Sequence, residues 1–251
     1  MKVPQKKLLI LLTILTAVLA SVGILFSMFF SHQGEELLKG YPHRSNNTDE
    51  AIITIQNKKP KTWTDLKNIS RYAQAAIVLS EDWSFYDHDG FDSEQMKVAL
   101  EEAASGGRVR GASTITQQMV KNVWLSDART LWRKLHELIL AYKTDKVLPK
   151  TRILEIYLNV IEFGPNVWGI TKASYYYFQK PPSALSPRES AFLAMLLPSP
   201  RKYSVSFRRK KLTRFAKKRV KEILVKMRMG KAITPAQYEE EVISRYSWEM
   251  D

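Results

Sequence analysis

The sequence predicts a mainly α-helical protein behind one N-terminal transmembrane helix. Two observations carry this. From Leu66 onward apolar residues return at three- and four-residue spacing through most of the chain, the period of a helix face. Ahead of them, Leu8 to Phe30 is apolar or small throughout and carries no charge. At about 1.5 Å per residue that run reaches roughly 34 Å, enough to cross a hydrocarbon core of ~30 Å.

Composition narrows the functional classes. With 251 residues and a 45% hydrophobic content, the chain can build one sizeable domain plus accessory segments, not two large domains. Cysteine is absent, which excludes disulfides, thiol nucleophiles and cysteine-based zinc sites. His32, His43, His88 and His136 show no metal-ligand spacing. A net charge of +14 implies an anionic partner: nucleic acid, an acidic lipid surface or a phosphorylated substrate.

Taken in order, Lys2, Lys6 and Lys7 precede the apolar run. The positive-inside tendency then puts residues 1–7 in the cytoplasm, 8–30 in the membrane and the rest outside. Val18-Leu19-Ala20 also resembles a signal-peptide cleavage site, but the apolar run continues ten residues beyond it, which favours an uncleaved anchor. Residues 31–61, with Gly34, Gly40, Pro42 and Asn46-Asn47-Thr48, read as a linker that lifts the domain off the membrane, with a short strand at Ala51 to Ile55. The main domain spans 62–231, and a C-terminal helix occupies 232–251.

Leu66, Ile69, Tyr72, Ala73, Ala76, Ile77 and Ser80 form a helical pattern that delivers Glu81 to its C-terminal end. The stretch Ser80 to Gly90 then holds four carboxylates and one imidazole among three aromatics. Burial beside rings raises a carboxylate's pKa toward the range of proton exchange at neutral pH. A charged loop after a helix is the competing reading. Ser93 to Ala104 is helical and leads into the basic, glycine-rich loop Ser105 to Gly111. Thr114 as N-cap with Gln117 three positions on makes a capping box, and a helix N-terminus after a basic loop suits an anion.

Leu131 to Leu148 is an amphipathic helix with Leu131, Trp132, Leu135, Leu138, Ile139 and Tyr142 on its apolar stripe. Glu137 falls off that stripe, three and four residues after Lys134 and Arg133, so the three can cluster; such a cluster is ordinarily a solvated ion pair. Pro149 ends the helix, and Arg152 to Ile161 forms another. Ser186-Pro187-Arg188-Glu189 is a complete helix start for a core helix that Pro198 stops. Arg201 to Lys231 is densely basic on one face and apolar on the other. Thr234-Pro235-Ala236-Gln237 starts the last helix.

Four motifs in this order resemble those of the glycosyltransferase family 51 domain. Glu81-Asp82-x-x-Phe85-x-x-His88-x-Gly90 looks like its first motif and Gly111-x-Ser113-Thr114-Ile115-Thr116-Gln117-Gln118 like its second. Arg133-Lys134-x-x-Glu137 looks like the third, and Ile153-Leu154-Glu155-x-Tyr157-Leu158-Asn159 like the fourth. The fifth, a basic stretch in a late helix, is only loosely matched by Arg219-Val220. The resemblance covers roughly Leu66 to Val225. It implies a lysozyme-like helical fold with a small membrane-proximal lobe, here Phe85 to Gly111. It also implies polymerisation of lipid II into a growing glycan strand, with inversion and release of a polyprenyl diphosphate.

By the same resemblance Glu81 is the general base and Glu137 the second essential carboxylate. Lys121 and Arg129 match residues that bind the diphosphate. Asp82, Ser113, Thr114, Gln117, Gln118, Arg133 and Lys134 are expected around the substrate, Glu155 and Asn159 in support, and His88 as a structural partner. Glu137 could hold a divalent cation, Mg²⁺ or Mn²⁺, though the sequence does not require one. Expected partners are membrane lipids and other cell-wall synthases, with no nucleic acid. Ser199-Pro200-Arg201-Lys202 spells the Ser-x-x-Lys of a peptide crosslinker, but it follows a proline stop without that fold's other motifs. A lytic enzyme that uses Glu81 as an acid, and a non-enzymatic scaffold of wall synthesis, are the alternatives.

Overall fold

Side-chain caps set several of the helix starts in the computed structural model, which describes residues 34–44, 53–105, 111, 113–125, 128 and 130–250, together with 13, 14, 16, 17 and 21. The expected membrane span Leu8 to Phe30 lies outside the described residues except for the last five of these, which are helical. Arg129 lies outside them too. Among the described residues no helix is long and apolar enough to cross a membrane.

Three short elements come first: α1 (Glu36–Lys39), β1 (Tyr41–Arg44) and β2 (Ile53–Gln56). The two strands pair antiparallel, Tyr41 opposite Gln56 and Arg44 opposite Ile53. Residues 31–61 were expected as a linker, and their described part is instead folded onto the domain. Leu37 is fully buried. Arg152 donates to Leu37 O at 3.0 Å and to Gly40 O at 2.6 Å, satisfying carbonyls that a free linker would leave to water. No local sequence pattern announces this contact, because its partner lies more than a hundred residues away.

A 3₁₀ turn at Leu66–Asn68 precedes α2 (Arg71–Glu81), so the helical pattern read from Leu66 is two elements. Ser70 caps the second by accepting from Tyr72 N. Next come α3 (Ser93–Ala104), α4 (Ile115–Trp124), α5 (Leu131–Val147) and α6 (Lys150–Val160). The Thr114/Gln117 capping box is formed as the sequence predicts, and so are those of Ser186/Glu189 and Thr234/Gln237. A small hairpin of β3 (Glu162–Gly164) and β4 (Val167–Trp168) leads to α7 (Ile170–Phe178) and the core helix α8 (Pro187–Leu196). Two one-turn helices, α9 (Pro200–Tyr203) and α10 (Val205–Arg208), precede α11 (Arg214–Met229) and α12 (Pro235–Ile243).

The helices pack as two groups. In one, α2 lies against α8 and both carry α11; in the other, α4 lies against α5 and α6. The protein is mainly helical, as predicted. Beyond α12 the chain turns back, and Tyr246 stacks on Trp248 with ring centroids 4.8 Å apart and planes 5° from parallel. The expected C-terminal helix is therefore Pro235–Ile243 followed by a packed tail.

The tertiary structure decides which face of α5 is buried. Its residues Glu137, Leu140, Ala141 and Thr144 face the interior. Leu131 is 92% exposed, and Trp132, Leu135 and Tyr142 are exposed as well. The fold leaves this part of the apolar stripe outward and buries Glu137, with Arg133 half-buried and Lys134 exposed beside it.

Candidate active site

A cleft of about 1300 Å³ is lined by the end of α2, the turn after it, and residues of α4, α5 and α11. Glu81 is the last residue of α2 and half-buried in this cleft. Its Oε2 accepts from Gln118 Nε2 at 3.0 Å. Burial pushes the Glu81 carboxyl above the usual carboxylate range, against the opposing pull of the Gln118 hydrogen bond and the positive charges of Arg219 and Lys226. Burial and the neighbouring Arg219 in turn pull Lys226 below the ordinary lysine value.

Asp82 begins the turn. Its Oδ1 meets His88 Nε2 at 2.9 Å, and its Oδ2 accepts from Ile115 N at the start of α4, also at 2.9 Å. Oδ2 therefore joins the turn to the second helix group, while Oδ1 and His88 tie the turn to itself. The fixed turn also needs Gly90. That residue has φ +78°, and a Cβ there would lie 2.5 Å from Ala141 O, so only glycine lets the loop rest on the α5 backbone.

From α4, Gln118 and Lys121 line the cleft, and Ser113 and Thr114 line it just ahead of that helix. Thr114 Oγ donates to Gly90 O at 2.6 Å while capping the helix. Gln117 does not reach the cleft. It is buried, with its Oε1 accepting from Thr114 N at 2.9 Å, because the capping box uses its side chain.

Arg133, Lys134 and Glu137 of α5 also line the cleft. Glu137 is 3% exposed. Arg133 Nη1 donates to its Oε2 and Lys134 Nζ to its Oε1, while Lys134 also donates to Ser113 Oγ at 2.9 Å. A solvated surface pair was the ordinary expectation for this cluster. Here the carboxylate is buried and serves to hold two cations at the cleft wall. Both Glu137 oxygens carry cations, so its donor set does not fit a resident divalent ion. Nor do the described residues contain a group of three or more acidic or histidine side chains able to hold one.

Glu155 and Asn159 lie away from the cleft. Glu155 accepts from Trp63 Nε1 at 3.1 Å and from Leu66 N at 2.9 Å, and Asn159 Oδ1 accepts from Thr64 N at 2.9 Å. They fasten the segment before α2 to α6. Arg219 and Lys226 are cleft residues to which the sequence reading gave no role. Their spacing of seven puts both on one face of α11, a signal obscured by the surrounding basic residues.

The family model described as Transglycosylase matches residues 48–228, most of the chain and all of the cleft helices. The chain belongs to the transglycosylase family. The transglycosylase domain is 43% identical over 176 residues to the biosynthetic peptidoglycan transglycosylase of Azoarcus sp. (strain BH72), covering 65% of this chain and 76% of that protein. It is 41% identical over 168 residues to the protein of that name from Chromobacterium violaceum, covering 64% and 74%. With that of Aromatoleum aromaticum it shares 42% over 172 residues, covering 66% and 75%.

Proposed function

We propose that this chain is a peptidoglycan glycosyltransferase that polymerises lipid II into glycan strands. One observation carries the reading: a carboxyl raised by burial faces the same cleft as a cationic cluster organised around a buried second carboxylate. Glu81 takes the proton from the acceptor's 4-hydroxyl as that oxygen attacks the donor's anomeric carbon. The sugar–phosphate bond breaks with inversion, and the polyprenyl diphosphate leaves with the bonding electrons. Lys121, Arg133 and Lys134 offset the charge that develops on it, and Arg129 is proposed beside them. Glu137 keeps Arg133 and Lys134 aimed at the cleft. In this reading side-chain cations serve the leaving group, and no step depends on a metal at Glu137.

The substrate's lipid tail calls for a membrane position. We assign residues 8–30 as a single-pass anchor with the domain on the extracytoplasmic side. The outward stripe of Leu131, Trp132 and Leu135 supports contact with membrane lipids, and the basic face of α11 suits anionic headgroups.

The test is to incubate purified protein with lipid II and, separately, with isolated peptidoglycan. Strand growth is expected from the first and no muropeptide release from the second. A raised Glu81 pKa would equally suit a general acid, which is the specific reason to run the lytic assay. Muropeptide release without polymerisation would replace the reading.

A further inference from the structure

We propose that Tyr157 is a positioning residue for the general base: its hydroxyl holds the Gln118 side chain in the orientation that donates to Glu81. The inference rests on the reading of Glu81 as the base. Tyr157 lies on α6, is fully buried, and donates to Gln118 Oε1 at 2.8 Å. Gln118 Nε2 then faces Glu81 Oε2 at 3.0 Å and Ser113 O at 3.5 Å. Both amide hydrogens thus have acceptors. Turned by 180°, the amide would set its oxygen against a carboxylate and a carbonyl, three acceptors together.

The phenol makes the observed orientation self-consistent. Burial, with the nearby charges of Glu81 and Asp82, keeps its pKa well above the usual tyrosine value, so the hydroxyl remains a donor throughout the range in which an enzyme base titrates. A hydrogen bond received at Oε1 polarises the amide and strengthens what it gives at Nε2. Three helices therefore meet in one chain of bonds: α6 through Tyr157, α4 through Gln118 and α2 through Glu81. That chain opposes the upward push of burial on Glu81.

The test is the pH profile of lipid II polymerisation by the full chain for wild type, Tyr157→Phe, Gln118→Leu and the double variant, with Glu81→Gln as a control. Tyr157→Phe is expected to move the acid limb of kcat upward by about half to one pH unit, a loss of roughly 3- to 10-fold below the limb that recovers above it. KM should be near wild type. The double variant should match Gln118→Leu alone, because Tyr157 acts through Gln118. Gln118→Leu probes the same link from its centre if Tyr157→Phe folds poorly in thermal melts. An unmoved limb, a uniform fall at every pH, or additive effects in the double variant would overturn the inference while the polymerase reading stands. An inactive wild type, or an active Glu81→Gln, would remove that reading and this inference with it.

Discussion

Gln118 donates to Glu81 across 37 residues of sequence and 3.0 Å of space, tying the helix that ends at the proposed base to the helix that begins at the basic loop. The bond competes with burial, and burial prevails: the Glu81 carboxyl stays raised. Glu81→Gln is accordingly expected to lower polymerisation by about 10²- to 10⁴-fold. Lipid II conversion measured under saturating substrate checks this, and near-wild-type turnover would remove Glu81 from the chemistry.

The same raised pKa makes Glu81 a stability cost at neutral pH. Between the unfolded carboxyl value and the raised folded one, the folded state binds more protons than the unfolded state. Stability therefore falls as pH rises through that window. Glu81→Gln should melt higher than wild type at pH 7, and the difference should shrink toward pH 4. An equal shift at both pH values would show that the gain does not come from the charge.

Glu137→Gln leaves the shape of α5 but removes the charge that Arg133 and Lys134 share. Polymerisation should fall by orders of magnitude. Urea denaturation should show a loss of about 1.5–3 kcal/mol, the scale of hydrogen bonds to a charged group. Retained activity with the stability loss would leave Glu137 as a structural anchor only.

Gly90→Ala forces a side chain into the α5 backbone at a positive φ. The expected cost is roughly 2 kcal/mol or more, since neither Ala141 O nor Tyr142 N can retreat without breaking the helix. A thermal midpoint unchanged from wild type would mean that the loop relaxes freely.

Leu131→Glu and Trp132→Glu change residues that make little contact with the core. Both variants should melt like wild type yet sediment less with anionic lipid vesicles. If vesicle binding is unchanged, the outward stripe of α5 does not serve the membrane.

Much of this was legible from sequence where the signal is local. The capping residues Thr114, Ser186 and Thr234 mark true helix starts, and the period after Ile69 puts Glu81 at a helix end. The stripe on α5 was legible only as a stripe. Periodicity identifies a face but not its surroundings, and a face of Leu131, Trp132 and Leu135 can meet a protein core or remain outside it. Glu155 shows the same limit: its motif marks it as special, and only its bonds to Trp63 and Leu66 reveal a fastening role.

By itself, then, the sequence determined the helices, their caps and the order of the motif residues, because these follow from bonds within one or two turns. The tertiary structure decided that Glu137 is buried beneath its two cations, that Gln117 serves a cap while Gln118 reaches Glu81, and that Arg219 and Lys226 line the cleft. Each of those outcomes depends on which helix packs against which, and the contacts that fix the packing join residues too far apart in the chain for a local pattern to record.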